Sequence, residues 1–164
     1  MKRVLIPGSF DPITVGHYDV IKKCAGMFDE VYVTVFKNTE KGGRGIFDEN
    51  DCFEMVKAAV RDLDNVHADI TDRLVVDYAR EKNIDIIVKG IRNTLDFEYE
   101  YDLYVINLDI GNYETLFVPA CPKYRHISST FVRDMIKYGR DITPYVPDGV
   151  GEIIGRIMEQ KGQI

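Results

Sequence analysis

VLIPGSFDPITVGHYD, residues 4–19, decides how the rest of the chain is read. It opens on the continuous apolar run Val4-Leu5-Ile6, the pattern of a strand buried on both faces. It closes on the start of a helix over residues 16–26, with Val20, Ile21, Cys24 and Ala25 at helical spacing. From Pro7 to Asp19 the stretch holds two prolines, two glycines and one histidine, more punctuation than a turn needs. Gly8 lets the backbone leave the strand tightly, and Ser9 brings a hydroxyl to the sheet edge. Pro12 stiffens the loop, and Gly16 allows close backbone approach at the helix start. His17 falls in the first helical turn, where free N–H groups and the dipole favour an anion. Taken alone, these residues fit a glycine-rich strand-to-helix turn with a capping histidine as well as they fit an anion site. Neither GxxxxGK[ST] nor GxGxxG is present.

The same strand–helix unit repeats outward from this stretch. EVYVTVF (30–36) is β-branched and aromatic, a second strand, and NTEKGGRGIF (38–47) reads as a mobile glycine-rich loop. Asp48-Glu49 opens a helix through about Arg61. NVHADI (65–70) is a short strand, and Thr71 or Asp72 is placed to cap a helix through about Lys82. IDIIVKG (84–90) is a fourth strand, followed by a long amphipathic helix from about Thr94 to Asp109. TLFVP (115–119) is a fifth. Ser128-Ser129 caps a helix through about Tyr138, and Pro147 opens a last helical segment. Five strands alternating with helices predict an α/β, Rossmann-like, doubly wound parallel sheet with helices on both faces. A single domain over residues 1–164 is expected, since no linker or repeat divides the chain. The chemically loaded loops, including KGIRN and PACPKYRHISST, all follow strand ends, the edge where such sheets bind ligands.

Composition narrows the classes. With 164 residues, 45% apolar and 29% charged, the chain suits one packed core. A net charge of −6 disfavours nucleic acid and anionic membranes as partners, while leaving room for an anionic small molecule held by a local basic cluster. No apolar run approaches the ~20 residues of a membrane span. The N-terminus lacks the apolar region of a leader, so none is expected. Cys24, Cys52 and Cys121 are widely spaced and show no CxxC, which reads as free thiols in a reducing cytoplasm. His67 and His126 have no evident metal partners. His67 suits an edge-strand surface, and His126 borders the loop before Ser128.

Two motifs sharpen this reading. Thr14-Val15-Gly16-His17 resembles the (H/T)xGH signature of the nucleotidyltransferase superfamily, and Ile127 to Arg133, ISSTFVR, resembles its ISSTxxR motif in the same order. The second motif opens a helix, so its hydroxyls and N–H groups suit phosphate oxygens. With PGSFDPITVGH, FDEVYVTV, Lys41 and KGIRNTLDFEYE, the whole chain is similar to the bacterial phosphopantetheine adenylyltransferase family. That resemblance implies transfer of AMP from ATP to 4′-phosphopantetheine, giving dephospho-coenzyme A and pyrophosphate. A sister enzyme acting on another phosphate acceptor, such as nicotinamide mononucleotide, is the alternative. The sister would share the two motifs but has no reason to keep DFEYE.

The resemblance also implies roles. His17 stabilises the transition state at the α-phosphate, with Ser9 and Lys41 beside the reacting groups. ATP contacts fall on Ser9, Phe10, His17, Gly90, Ile91, Arg92, Glu100, and Tyr124, Arg125, His126, Ile127, Ser128, Ser129 and Thr130. Ser9, Lys41, Val75 and Lys89 contact the acceptor. Magnesium is implied as cofactor, carried by phosphates and water, with no protein ligand assigned. A homohexamer and feedback binding of coenzyme A are family traits. Lys89 stands where many relatives carry Arg, and Asp51 where Arg is common.

Overall fold

Strand β1 (Arg3–Gly8) is covered on both faces, which is why its sequence is a continuous apolar run. Val4 and Ile6 enter one buried cluster, and Leu5 enters another on the opposite face. The computed structural model describes residues 1–37 and 46–162. The loop carrying Lys41 and Arg44 lies outside the described residues. The remaining strands are β2 (Glu30–Phe36), β3 (Val66–Thr71), β4 (Ile86–Ile91) and β5 (Thr115–Pro119). The helices are α1 (Val15–Met27), α2 (Glu49–Val60), α3 (Val75–Glu81), α4 (Thr94–Gly111), α5 (Ser129–Lys137) and α6 (Val150–Gln160).

All strand pairs are parallel, in the order β3-β2-β1-β4-β5. The expected doubly wound α/β sheet is therefore found, with the order reversing between β1 and β4. Alternation within β2 repeats that of β1. Val31, Val33 and Val35 join the larger cluster with α1, α2, α5 and α6, while Tyr32 and Phe36 pack towards Tyr78 and Ala79 of α3. The C-terminal helix α6 inserts Val150, Ile154, Ile157 and Met158 into the larger cluster beside Val56 and Val60 of α2.

Local chemistry sets most boundaries. Asp48 caps α2, accepting from Asn50 N and Asp51 N at 2.9 Å each. Asp51 completes the box by accepting from Asp48 N at 3.0 Å, and it also takes Lys161 Nζ at 2.6 Å. The acid at the unusual position thus fastens α2 to the end of α6.

Three expectations need correction. Neither Thr71 nor Asp72 caps α3. Thr71 ends β3 and its hydroxyl accepts from Arg73 N at 3.2 Å, so the chain turns before α3 begins at Val75, after Leu74 with no side-chain cap. Pro147 does not open the last helix. Its carbonyl accepts from Val150 N at 3.1 Å across a turn, and Gly149 at φ 82° precedes the first helical residue. Helix α4 is not amphipathic, since its apolar residues lie all round and none is buried; Leu95 is 76% and Tyr99 65% exposed.

Candidate active site

The carboxyl ends of β1 and β4 separate where the strand order reverses, and a cavity of about 690 Å³ opens there. Open α/β sheets bind ligands at this place for the same topological reason. Residues 6–10, from the end of β1 into the loop beyond it, form one side, and Val88, Lys89, Gly90 and Arg92 at the end of β4 form the other. Helices α1, α4 and α5 bring their first turns to the rim.

His17 is held by the helix it starts. Thr14 is the N-cap of α1 and His17 its third residue, a capping box with histidine in the place usually taken by Glu or Gln. Thr14 N donates to His17 Nδ1 at 3.0 Å, the Thr14 hydroxyl lies 3.1 Å from the same nitrogen, and His17 N donates back to Thr14 Oγ1 at 3.4 Å. Nδ1 is therefore an acceptor, and the neutral ring carries its proton on Nε2. Burial, with Arg92 and Lys89 nearby, pulls the His17 pKa down to about 4, so the neutral ring prevails near pH 7. The side chain lines the cavity as a fixed N–H donor.

Phe10 builds the wall behind it. Its ring stands edge-on to the imidazole at 5.3 Å and lies over Gly8, where an added Cβ would come within 3.0 Å of the ring. Phe10 is 3% exposed and adopts φ 46°, a left-handed conformation that costs a bulky residue ~1–3 kcal/mol. The strain is local to the turn between Ser9 and Asp11, at the edge of the cavity.

Cations and carboxylates line the opposite side in pairs. Lys89 Nζ stands 2.9 Å from Glu100 Oε2 and 3.5 Å from the Pro7 carbonyl. Arg92 grips Asp96 with two parallel bonds, Nε to Oδ2 at 2.8 Å and Nη2 to Oδ1 at 3.0 Å. Its Nη1 donates to the Ile127 carbonyl at 3.2 Å, joining the end of β4 to the segment before α5. Lys37 adds a further cation to the lining. A Cβ on Gly90 would meet Val20 Cγ2 at 3.0 Å, so β4 approaches α1 closely here.

The ISSTFVR segment is largely engaged with the protein itself. Ser128 caps α5 by accepting from Phe131 N at 3.0 Å. Ser129 Oγ donates to the Pro12 carbonyl at 2.8 Å. Arg133 Nη1 donates to the Asp11 carbonyl and stands 3.5 Å from Asp11 Oδ2, and Nη2 donates to Thr130 Oγ1 at 3.1 Å. Two of the three hydroxyls expected on phosphate thus hold α5 to the loop before His17 or seat Arg133. The first-turn N–H groups of α5 remain the better anion donors.

Of the residues singled out in the sequence, Ser9, Phe10, His17, Lys89, Gly90, Arg92, Glu100 and Ile127 to Thr130 line this cavity. Among the described residues, the lining does not include Val75, Ile91, Tyr124, Arg125 or His126. Val75 starts α3 and packs on the smaller apolar cluster. Ile91 is the last residue of β4. Tyr124 ends a 3₁₀ turn with Lys123 Nζ 4.6 Å from its ring centre, Arg125 follows exposed, and His126 packs edge-on to Phe131 at 6.0 Å. His67 stacks on Tyr32 at 5.0 Å on the edge strand, as its position suggested. Thr14, Lys37 and Asp96 were not singled out as site residues. Thr14 and Asp96 left legible signals, a cap three residues before His17 and an acid four residues after Arg92.

The carboxylates that line the cavity, Asp96 and Glu100, each face a cation. Among the described residues, no three His, Cys, Asp or Glu side chains gather as a metal site. All three cysteines are free thiols. Burial raises Cys24 to about 11 and pushes Cys52 higher still. Among the described residues, no helix is long and apolar enough to cross a membrane.

Comparison with known proteins fits this geometry. Residues 5–135 match the cytidylyltransferase-like family. A phosphopantetheine adenylyltransferase of Caldanaerobacter subterraneus subsp. tengcongensis is 38% identical over 161 residues, covering 98% of both chains. Those of Thermobifida fusca and Streptococcus mutans are 40% and 41% identical, covering 93% and 98% of this chain and 92% and 96% of theirs. A solved structure of a Vibrio parahaemolyticus protein assigned as a nicotinate-nucleotide adenylyltransferase shares the fold. Its TM-score is 0.68 at 20% identity, covering 99% of this chain and 95% of that one.

Proposed function

The chain belongs to the cytidylyltransferase-like family and, within it, to the phosphopantetheine adenylyltransferases, and from that membership we propose how its residues perform the transfer. The enzyme moves AMP from ATP to 4′-phosphopantetheine, a step of coenzyme A biosynthesis. An oxygen of the acceptor phosphate attacks the α-phosphorus of ATP. The new O–Pα bond forms as the bond from Pα to the β-phosphate bridge breaks, and pyrophosphate leaves with the electron pair. Both reactants are anions, so alignment and charge stabilisation carry the catalysis, and no general base is needed on a phosphate dianion.

One observation carries the residue assignment. Thr14 N occupies His17 Nδ1, so the ring can offer only its Nε2–H to the cavity. A neutral donor fixed in this way suits a non-bridging oxygen of the α-phosphate as charge builds there. Arg92, with Gly90, Ile91 and the first turn of α5, holds the triphosphate. Ser9 and Lys89 hold the acceptor phosphate with Lys41, and Val75 meets the pantetheine arm. Glu100, Phe10 and Tyr124 to Thr130 complete the nucleotide contacts. Magnesium, if bound with ATP, would supply screening of the triphosphate charge. The paired state of Asp96 and Glu100 supports an ion carried by phosphate and water. The reading extends to a cytoplasmic homohexamer that coenzyme A feeds back on. Light scattering and inhibition by added coenzyme A test those two traits.

Mixing the protein with MgATP and 4′-phosphopantetheine should release pyrophosphate in proportion to dephospho-coenzyme A. No release from folded protein would sink the proposal, and release only with nicotinamide mononucleotide would move the acceptor to the sister class.

A further inference from the structure

We infer that Asp96 is a positioning residue that fixes Arg92 for the triphosphate of ATP. The inference rests on the reading of Arg92 as an ATP contact. An arginine at the end of a strand has many rotamers, and ordering it costs side-chain entropy. Asp96 removes that freedom before the ligand arrives. Its two oxygens take Nε and Nη2 at 2.8 and 3.0 Å, a planar fork that sets both the direction and the tilt of the guanidinium. Asp96 Oδ2 also accepts from Arg92 N at 3.1 Å, so one carboxylate holds backbone and side chain of the same residue. The Ile127 carbonyl takes Nη1 at 3.2 Å from the far side. The guanidinium is thereby spanned between α4 and the segment before α5, at the cavity wall.

The plainer reading is an acid in the first turn of α4, favoured by the helix dipole. It does not account for the geometry. Asn93 already caps α4, its side-chain Oδ1 accepting from the Asp96 backbone N–H at 2.9 Å, a bond that survives loss of the Asp96 side chain. The Asp96 carboxylate itself is turned to Arg92, and both side chains are partly buried, at 24% and 29% exposure.

The two readings separate in a double-mutant cycle on the full-length protein. Steady-state KM for ATP and for 4′-phosphopantetheine are measured for wild type, Asp96→Ala, Asp96→Asn, Arg92→Ala and Arg92→Ala/Asp96→Ala, with thermal melting of each. Asp96→Asn keeps the shape but replaces one acceptor oxygen by a donor that faces a guanidinium N–H. We expect Asp96→Ala and Asp96→Asn each to raise the KM for ATP about tenfold, with the acceptor KM within about twofold of wild type. In the Arg92→Ala background, loss of Asp96 should add less than about twofold. An unchanged KM for ATP in both Asp96 variants overturns the inference, as does a full additive loss in the Arg92→Ala background. If Arg92→Ala alone leaves the KM for ATP unchanged, the reading of Arg92 fails first and the inference falls with it.

Discussion

The backbone N–H of Thr14 donates to Nδ1 of His17 across 3.0 Å, so a helix cap decides which nitrogen of the histidine faces the cavity. The TxGH spacing then has a mechanical meaning. Thr and His are three residues apart because an N-cap and the third helical residue exchange hydrogen bonds. Gly16 between them is buried against the cap, where an added Cβ would lie 3.5 Å from Thr14 Oγ1.

Substitution at position 17 tests the cap and the chemistry separately. His17→Ala removes the Nε2–H donor and should lower kcat by about 10²–10³, the loss typical of one oxyanion donor. His17→Gln puts the usual capping-box residue at that place, keeps an N–H donor near Nε2 and should retain more activity than His17→Ala. Thermal melting should rank His17→Gln at or above His17→Ala, since only Gln can still accept from Thr14 N. Equal kcat for wild type and His17→Ala would remove His17 from the reaction.

The lowered His17 pKa predicts a pH window for stability. An unfolded histidine binds a proton near pH 6.5, whereas the folded ring resists protonation down to about 4. Between those values the unfolded state holds more protons, so stability rises with pH across the window and is flat above it. The contribution is full above pH 6.5 and is lost as pH falls towards 4. Comparison of wild type with His17→Gln isolates it. The melting temperature of wild type should fall further than that of the variant by on the order of 5 °C between pH 7 and pH 4.5. Parallel melting curves for the two proteins would contradict the depressed pKa.

How much of this was legible in the sequence depended on how local the cause was. The strands read well because burial on two faces leaves continuous apolar runs in β1, and alternating valines and aromatics in β2 serve two different clusters. Caps made by side chains, at Asp48 and Ser128, were found for the same reason. The starts of α3 and α6 were misplaced because Leu74 and Gly149 cap with no side-chain bond, which leaves no chemical mark in the sequence. In the site, His17 and Ser128 announced themselves. Ser129 was expected to meet phosphate because hydroxyls at a helix start usually suit anions. The bonds that the Ser129 hydroxyl makes to Pro12 and the Arg133 guanidinium makes to Asp11 were not legible, because their partners lie more than a hundred residues away and are fixed only by the closed sheet.

Arg133 should therefore behave as a fastening between α5 and the loop before His17. Its bonds to the Asp11 carbonyl and to Thr130 are charge-assisted, the first partly buried and the second exposed. Arg133→Ala should cost about 2 kcal/mol in denaturant unfolding. It should also lower kcat more than it raises the KM for ATP, because it loosens the loop that leads into the Thr14 cap without removing a phosphate contact. A variant with an ATP KM raised a hundredfold and unchanged stability would instead make Arg133 a direct ligand.

Lys89 offers the sharpest test of how the cavity handles charge. In the structure its ammonium faces Glu100 at 2.9 Å, with both side chains under 20% exposed. An acceptor phosphate bound at Lys89 must share that cation with a carboxylate, so the site's net attraction for a dianion depends on the pair and not on the lysine alone. Lys89→Met leaves Glu100 without its counter-charge beside the incoming phosphate, and the acceptor KM should rise about tenfold to a hundredfold. Lys89→Arg should keep the acceptor KM within about threefold of wild type, because a fork can face carboxylate and phosphate at once. Glu100→Gln in the Lys89→Met background should recover part of the loss by removing the repulsion. No recovery would mean that Glu100 and the acceptor phosphate do not share the lysine, and that their charges act at separate places in the cavity.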